Sequence, residues 1–253
     1  MENSLNSQRL GWSNKYLIGF FIPLSYTHYQ IVCMASQTVE NYLKALFTLS
    51  GENGTVNISD LSKHLAVSKP TVNSMIKKLS EQKLVKYEPY KPLSLTNKGR
   101  KQAALIIRKH RLTEMYLVEK MGFGWEEVHE IAEQMEHIKS PVFFARMDEM
   151  LEYPTIDPHG SPIPDAEGNI EWKSYHKLCE CKAGDEVRLA ALTHSSTEFL
   201  QYLNSKNMRL GTKINIMSIE SFDGSMTVSY HDHPSETLSK MVCERLLVEG
   251  HES

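Results

Sequence analysis

The pattern of apolar and polar residues predicts three helices and a hairpin over residues 36–100. Apolar side chains recur at helical spacing in TVENYLKALFTLS, in NISDLSKHLAV and in SKPTVNSMIKKLSEQ. In the third segment Ser68 is a favourable N-cap, and Pro70 lies in the first turn, where a missing N–H costs nothing. The segment LVKYEPYKPLSLT alternates and contains two prolines, as expected of two short strands. This order of elements predicts a winged helix-turn-helix.

The third predicted helix is the candidate DNA-recognition helix. In a winged helix-turn-helix this helix enters the major groove, where small polar side chains near its N-terminus reach base edges and lysines reach phosphates. A small helical domain with a solvated basic face is the alternative, but the N-cap, the spacing and the wing together favour DNA binding. The candidate DNA-binding residues are Ser68, Lys69, Pro70, Thr71, Asn73, Ser74, Lys77 and Lys78.

The middle of the chain predicts helices with a wide apolar surface. Apolar positions cover more than one stripe of a long helix from residue 97 to about residue 121, so this helix is expected to be buried on two sides. Further helices are predicted from about residue 125 to residue 140 and over residues 141–151. In a DNA-binding chain such surface predicts a dimer seam, which matches a two-fold symmetric operator.

The last hundred residues predict a loop followed by a small β domain. Residues 153–169 hold four of the ten prolines, which indicates a loop and a domain boundary. Beyond it, GDEVRLAAL is strand-like, STEFLQYLNSKNM predicts a helix, and TKINIMSIESFDGSMTVSY predicts a hairpin that turns at Asp223 and Gly224. A small β-barrel of the SH3 type accounts for these elements. The predicted fold class is mainly α with a small β domain.

The first 35 residues are interpreted as an extension that is not part of the fold, with Met34 as the natural start. The apolar run LIGFFIPL has eight residues, which is too short to span a bilayer, and no small-residue cleavage site follows it. A weak membrane-associating peptide is the alternative. The predicted divisions are an extension over 1–35, a DNA-binding domain over 36–100, a helical domain over 101–152, a proline-rich linker over 153–175 and a β domain over 176–250.

Charge is distributed unevenly, although the formal net charge is only −3. Residues 36–100 hold ten Lys and Arg against five Asp and Glu, whereas residues 153–253 hold nine against fifteen. A basic block of this kind indicates a polyanionic partner. The four cysteines are too few and too irregular for a disulfide framework, so a reducing, cytoplasmic location is predicted. The C-x-C pair at 179–181 lacks a second pair at zinc-ribbon spacing, which favours a structural role over metal binding.

Imidazoles and carboxylates concentrate on two consecutive predicted helices, one of which contains the segment HEIAEQMEH. The six residues are His110 and Glu114 on the first helix and His129, Glu133, Glu136 and His137 on the second. Their spacings place each set on one helix face. Mixed nitrogen and oxygen donors suit Mn²⁺ or Fe²⁺ better than a structural zinc site, which favours cysteine and histidine. A single His–Glu pair on a helix is usually solvent-exposed and has no binding role, whereas six such residues beside a winged helix indicate a metal site.

Two other function classes compete with this interpretation. A metalloenzyme would use Glu114 or Glu133 as a general base, but the H-E-x-x-H order, a serine elbow and a phosphate-binding glycine loop are all missing from the sequence. The basic winged helix would also be unexplained, so the chain is not predicted to be an enzyme. A winged-helix regulator that senses an organic ligand or a redox change, with the His/Glu set merely structural, is the second alternative.

With these motifs the chain resembles the metal-dependent repressors of the diphtheria-toxin-repressor (DtxR/MntR) type, from about residue 36 to residue 249. The segments that carry the resemblance are YLKALFTL, SKPTVNSMIKKL, LTNKGR, RKHRLTEMYL, the H-x-x-x-E-x-x-E-H run and DPHGSPIP. It implies a helical metal-binding and dimerisation domain over 101–152 and an SH3-like (FeoA-like) barrel over 176–250. It also implies a homodimer that represses metal-uptake genes by binding double-stranded operator DNA when loaded with Mn²⁺ or Fe²⁺.

The resemblance also implies roles for individual residues. The primary metal site corresponds to Asn41, Glu133, Glu136 and His137. The ancillary site corresponds to His110, Glu114 and His129. His194 and Glu198 are candidates for further ligands from the barrel, where the register is ambiguous.

Three positions depart from the pattern of one or other branch of this family. Asn41 stands where Met or Asp is usual, and Lys44 stands where manganese-type members have a glutamate. A cation at this position would repel a second divalent ion and could pair with a carboxylate instead. Glu133 stands where iron-type members have a cysteine, and a carboxylate is the harder ligand. The expected cofactor is therefore Mn²⁺ or Fe²⁺, and this ligand set favours Mn²⁺.

Overall fold

The computed structural model describes residues 36–51, 54–231 and 233–250. The predicted extension over residues 1–35 lies outside the described residues. Among the helices that the structure describes, none is long and apolar enough to cross a bilayer.

The predicted winged helix-turn-helix is confirmed. Its elements are α1 (Gln37–Ser50), α2 (Ile58–His64), α3 (Lys69–Glu81), β1 (Val85–Lys86) and β2 (Ser94–Leu95). The Ser36 and Ser68 hydroxyl oxygens cap α1 and α3 by accepting hydrogen bonds from the third helical residue. The two strands are antiparallel, with Val85 opposite Leu95. One core joins these elements, and it includes Leu43, Leu61, Ile76, Leu79 and Leu93. Because α1 and α3 share this core, a shift of α1 would also move α3, the predicted recognition helix.

Three helices form the middle of the fold: α4 (Asn97–Met121), α5 (Val128–Met135) and α6 (Pro141–Met150). The first turn of α4 lies so close to the end of the DNA-binding domain that a Cβ on Gly99 would collide with the carbonyl oxygen of Leu84. Gly122 ends α4 in the left-handed conformation that glycine favours.

Helix α5 is shorter than the predicted span of residues 125–140. It covers only eight residues, and Glu136 follows as its C-cap with near-helical dihedral angles. Ser140 is extended, with φ −121° and ψ 99°, because the residue before a proline avoids the helical region. The chain must therefore leave the helix before Pro141. His137 lies in the turn after α5, and not on the helix face that the spacing predicted.

The C-terminal β domain is also confirmed, and it is a six-stranded antiparallel sheet in the order β3-β8-β4-β5-β6-β7. The strands are β3 (His176–Lys177), β4 (Glu186–Leu192), β5 (Lys213–Ile219), β6 (Met226–Tyr230), β7 (His233–Leu238) and β8 (Leu246–Gly250). Two helices accompany the sheet, α7 (Thr197–Ser205) and α8 (Lys240–Cys243). The β5–β6 hairpin turns at Gly224, as predicted, with φ 71°.

The proline-rich segment is a loop, as predicted, but it does more than connect two domains. Arg108 Nη1 on α4 donates to the carbonyl oxygen of Pro164 at 2.6 Å. The backbone N–H of Leu192 on β4 donates to the carbonyl oxygen of His159 at 3.0 Å. Gly160, at φ 87°, approaches β4 so closely that a Cβ would collide with its backbone. The segment is therefore fixed between α4 and the sheet, and it brings Asp157 and His159 into buried positions.

Candidate metal centre

Contacts within 4 Å link the six predicted His and Glu ligands, which lie on α4 and on residues 128–137, called the α5 segment below. The seventh, Asn41, lies on α1 between Glu40 and Lys44, whose side chains contact His137 and Glu136. Helix α1 supplies Asn41, α4 supplies His110 and Glu114, and the α5 segment supplies His129, Glu133, Glu136 and His137. The centre therefore joins the DNA-binding domain to the helical domain. A ligand held by both sides would link their positions.

His110 is at the middle of the predicted ancillary set. Its Nε2 atom lies 3.0 Å from Glu114 Oε1 and 3.2 Å from His129 Nδ1. Glu114 Oε1 is in turn 3.2 Å from His129 Nδ1. One donor atom from each of these residues lies within 4.8 Å of the others, which is close enough for one metal ion to bind all three.

Electrostatic coupling within this set is strong. Burial of the His110 ring opposes its protonation, but hydrogen bonds to Glu114 and Glu136 outweigh burial and raise the pKa of His110 to about 9. Burial also acts to raise the pKa of Glu114, but hydrogen bonds from His110 and His129 outweigh it and hold that pKa well below its usual range. A metal ion on His110 Nε2 must displace a proton, so binding there is expected to release protons.

The two oxygen atoms of the Glu136 carboxylate have different environments. Its Oε2 atom lies 2.6 Å from His110 Nδ1 and 2.6 Å from Lys44 Nζ. Burial acts to raise the pKa of Glu136, but its contacts with His110 and Lys44 outweigh burial and lower it, so the group is ionised at neutral pH. Its Oε1 atom is buried and accepts no hydrogen bond from any described residue.

Two further predicted ligands also have a buried polar atom that lacks a hydrogen-bond partner. Within the described ranges, His137 Nε2 and Asn41 Oδ1 are also buried without a hydrogen-bond partner. His137 Nε2 lies 3.8 Å from Glu136 Oε1, beyond hydrogen-bond distance. A buried polar atom without a partner costs about 1–3 kcal/mol. Carboxylate oxygen, amide oxygen and imidazole nitrogen are all lone-pair donors that can bind a divalent cation. Glu136 Oε1 and His137 Nε2 lie close enough together to share one.

Glu40 is a residue that sequence reasoning missed. It is buried, and its Oε2 atom lies 2.6 Å from His137 Nδ1. A carboxylate that accepts from Nδ1–H fixes the ring and leaves the Nε2 lone pair for a metal ion. The sequence contained a weak signal, since Glu40 directly precedes Asn41, but a spacing of four from Lys44 is also that of an ordinary surface ion pair.

A second buried group includes Asp157 and His159, which sequence reasoning also missed. One donor atom each from Glu114, Asp157 and His159 lies within 4.8 Å of the others. Burial, together with the nearby Glu114 charge, raises the pKa of Asp157, and Arg111 opposes this shift. His159 Nε2 lies 2.9 Å from the carbonyl oxygen of Trp125. The DPHG motif that contains both residues was the available signal. This group could hold a metal ion next to the ancillary set.

The barrel residues His194 and Glu198 are not brought into the centre. Both are exposed, and His194 Nδ1 lies 3.1 Å from the neighbouring Thr193 hydroxyl. No hydrogen bond or ion pair in the described part of the chain joins either residue to the six His and Glu residues of the centre. The structure therefore gives these two candidates no support.

The predicted DNA-binding face of α3 is open to solvent. Lys69, Thr71, Ser74, Lys77 and Lys78 are exposed, as are Ser68 and Pro70, while Asn73 is half-buried. The Thr71 hydroxyl lies 2.8 Å from that of Ser68, which fixes its direction at the start of the helix.

Comparisons with known proteins agree with this architecture. Residues 34–93 match the N-terminal DNA-binding domain of the iron-dependent repressors, and residues 96–165 match their metal-binding and dimerisation domain. Residues 176–250 match the FeoA domain. The chain is 33% identical over 171 residues to the iron-dependent repressor IdeR of Mycobacterium bovis, covering 65% of this chain and 74% of that protein. It is 37% identical over 127 residues to IdeR of Mycobacterium leprae, covering 50% of this chain and 55% of that protein.

A solved structure of a manganese-dependent transcriptional repressor in complex with manganese has the same fold. It superposes with a TM-score of 0.76 at 31% identity, covering 84% of this chain and 99% of that one. Together with the matched domains, this similarity establishes that the chain belongs to the diphtheria-toxin-repressor family of metal-dependent, DNA-binding transcriptional repressors.

Proposed function

We propose that this protein acts as a homodimer on double-stranded operator DNA near metal-uptake genes, with Mn²⁺ or Fe²⁺ as the activating ion and Mn²⁺ favoured. The observation that supports this most is the set of buried, unpaired donor atoms on both sides of the domain junction. Asn41 belongs to α1, while Glu136 and His137 follow α5. We assign the primary site to these residues together with Glu133, whose side chain is half exposed.

The coupling follows from the positions of these residues. Glu133 and Glu136 carry like charges three positions apart, and the ammonium of Lys44 supplies only one positive charge against the two. A divalent ion held by these residues would neutralise them and cross-link α1 to the α5 segment. Because α1 and α3 share one core, fixing α1 also fixes the spacing between the two recognition helices of a dimer. Tenfold to hundredfold activation requires only about 1.4–2.8 kcal/mol of coupling.

The donor set supports the preference for manganese. Glu133 and Glu136 contribute carboxylate oxygens, and Asn41 contributes an amide oxygen where a thioether or carboxylate is usual in the family. Hard oxygen donors with one imidazole suit Mn²⁺ better than the softer ligand sets that contain cysteine.

The proposed dimer surface lies on α4 and α6. Four large apolar side chains on these helices are exposed in the single chain: Met121, Val142, Phe143 and Met150. An apolar surface of this kind on a soluble chain marks an association surface. A two-fold interface through these helices would place two recognition helices on successive half-sites of DNA.

Operator binding with controlled metal tests the proposal. A DNA ligand is first selected from random sequence with the Mn²⁺-loaded protein, and is called the selected operator below. Its affinity is then measured by fluorescence anisotropy with chelator and at fixed free Mn²⁺, Fe²⁺ and Zn²⁺. We expect Mn²⁺ or Fe²⁺ to strengthen binding by at least about tenfold. Equal affinity in chelator and in both ions would contradict metal-dependent repression.

The recognition helix gives a second expected result. Thr71→Ala and Asn73→Ala should each lower discrimination between the selected operator and random DNA, by about 1–3 kcal/mol for each lost base contact. Lys77→Ala should instead weaken binding to both DNAs and flatten its salt dependence, because a phosphate contact carries no sequence information. Competition anisotropy at several salt concentrations distinguishes these effects. Unchanged operator preference in Thr71→Ala and Asn73→Ala would contradict the assignment of α3.

A further inference from the structure

Lys44 occupies the centre of the domain junction as a charged side chain. Its Nζ atom lies 2.6 Å from Glu136 Oε2, 3.2 Å from Glu133 Oε1 and 3.1 Å from His110 Nδ1. The side chain is only 16% exposed. All three contacts connect α1 to α4 or to the α5 segment, so the ammonium bridges the same two domains as the proposed metal ion.

The ammonium and the unpaired donor atoms use different parts of the centre. Lys44 contacts Oε2 of Glu136, whereas Oε1 of the same carboxylate is the buried, unpaired atom near His137 Nε2. One carboxylate can therefore contact a cation on each side. The position of Lys44 beside Glu133 and His110 is where a second cation would otherwise interact with these groups.

Charge balance supports the same division. Lys44 contributes one positive charge against Glu133 and Glu136, the two carboxylates that it contacts. A second divalent ion against Glu136 Oε2 would lie next to the ammonium, where repulsion in a partly buried site is strong. The site therefore favours a single divalent ion beside α1.

We propose that Lys44 is a tethered cation that takes the place of one metal ion in this centre. It holds α1 against α4 and the α5 segment before metal binds, and it limits loading beside α1 to one divalent ion. The inference rests on the proposed metal-dependent function and deepens it. A protein with such a bridge keeps part of its operator affinity without metal, and its metal binding is weakened by the neighbouring positive charge.

Three substitutions at Lys44 separate the effects of charge, of shape and of an added ligand. Lys44→Gln removes the charge, Lys44→Arg keeps it, and Lys44→Glu replaces it with a carboxylate. Lys120→Gln, at the exposed end of α4, is the matched control for the loss of one positive charge. The measurements are selected-operator affinity with chelator, Mn²⁺ affinity and stoichiometry by calorimetry, and thermal unfolding to confirm that each variant is folded.

Removing the Lys44 charge is expected to change DNA affinity and metal affinity in opposite directions. Lys44→Gln should weaken metal-free operator binding by about fivefold or more, because the bridge is lost, and should tighten Mn²⁺ binding, because the competing cation is gone. Lys44→Arg should behave as the parent protein in both measurements. Lys44→Glu should bind one additional Mn²⁺ equivalent per chain. A lysine with only a packing role would not tighten metal binding when it is removed.

Other outcomes distinguish failure of the proposed metal-dependent function from failure of the proposed role of Lys44. If Mn²⁺ and Fe²⁺ both fail to activate the parent protein, the proposed function fails. If either ion activates the parent, but Lys44→Gln matches the parent in metal-free DNA affinity and in Mn²⁺ affinity, the role of Lys44 is overturned. If Lys44→Gln does not fold, Lys44→Glu becomes the test. The proposal is then overturned if Lys44→Glu binds Mn²⁺ with the stoichiometry and affinity of the parent protein.

Discussion

Replacing Glu136 with glutamine is expected to abolish metal-activated operator binding while the protein remains folded. The Glu136 side chain is completely buried, and it is ionised because His110 and Lys44 lower its pKa. Glutamine preserves the size and one carbonyl oxygen, so the contact with Lys44 can persist. It removes the negative charge that compensates a divalent ion in the buried site, which is the larger electrostatic contribution. The ratio of selected-operator affinities with and without Mn²⁺ should fall from about tenfold or more to about one.

The matched control is Glu130→Gln, which removes the same charge from an exposed position on α5, the helix that Glu136 follows. It should retain the metal response of the parent protein. His129→Ala should reduce the response less than Glu136→Gln, because His129 belongs to the ancillary set and is half exposed. Circular dichroism and thermal unfolding establish that each variant is folded. A Glu136→Gln protein with the metal response of the parent would refute the role of this residue in the primary site.

Local sequence rules predicted the elements that their own residues determine. Ser68 caps α3 as its side-chain chemistry requires, and Gly224 turns the β5–β6 hairpin because it tolerates positive φ. The end of α5 was harder to predict, because the H-x-x-x-E-x-x-E-H spacing favours a helix through His137. The helix ends earlier because Ser140, the residue before Pro141, has an extended backbone. His137 consequently lies in the turn, where Glu40 can reach it.

The missed parts of the centre depend on contacts that are distant in sequence. Glu40 is 97 positions from His137, and its burial is produced by docking of α1 and not by its own neighbours. Asp157 was missed because a proline-rich loop usually lies at the surface. Arg111 on α4 pairs with it at 3.4 Å, and β4 holds the loop from the other side. By contrast, the family resemblance placed Lys44 beside the metal site, and its charge predicted that it could pair with a carboxylate. The structure shows Lys44 paired with two carboxylates.

Val142→Asp is expected to dissociate the proposed homodimer and to remove high-affinity operator binding as a consequence. Val142 is 55% exposed in the single chain, at the second residue of α6. A carboxylate in the first turn is favourable for a helix, since it interacts with the positive end of the dipole, so the isolated chain should remain folded. Across a two-fold axis the substitution appears twice, and each copy would bury a charge without a partner, at a cost of several kcal/mol.

The loss of DNA affinity should exceed that of any single substitution in α3, because dissociation halves the number of recognition helices on each operator. Sedimentation equilibrium in Mn²⁺ measures the dissociation, and anisotropy measures the DNA affinity. Met217→Asp is the matched control, since Met217 is an apolar residue of similar exposure, 53%, on β5 of the barrel. It should leave both properties unchanged. If Val142→Asp sediments as the parent protein does, the α6 surface is not the dimer seam, and the apolar exposure of this helix requires another partner.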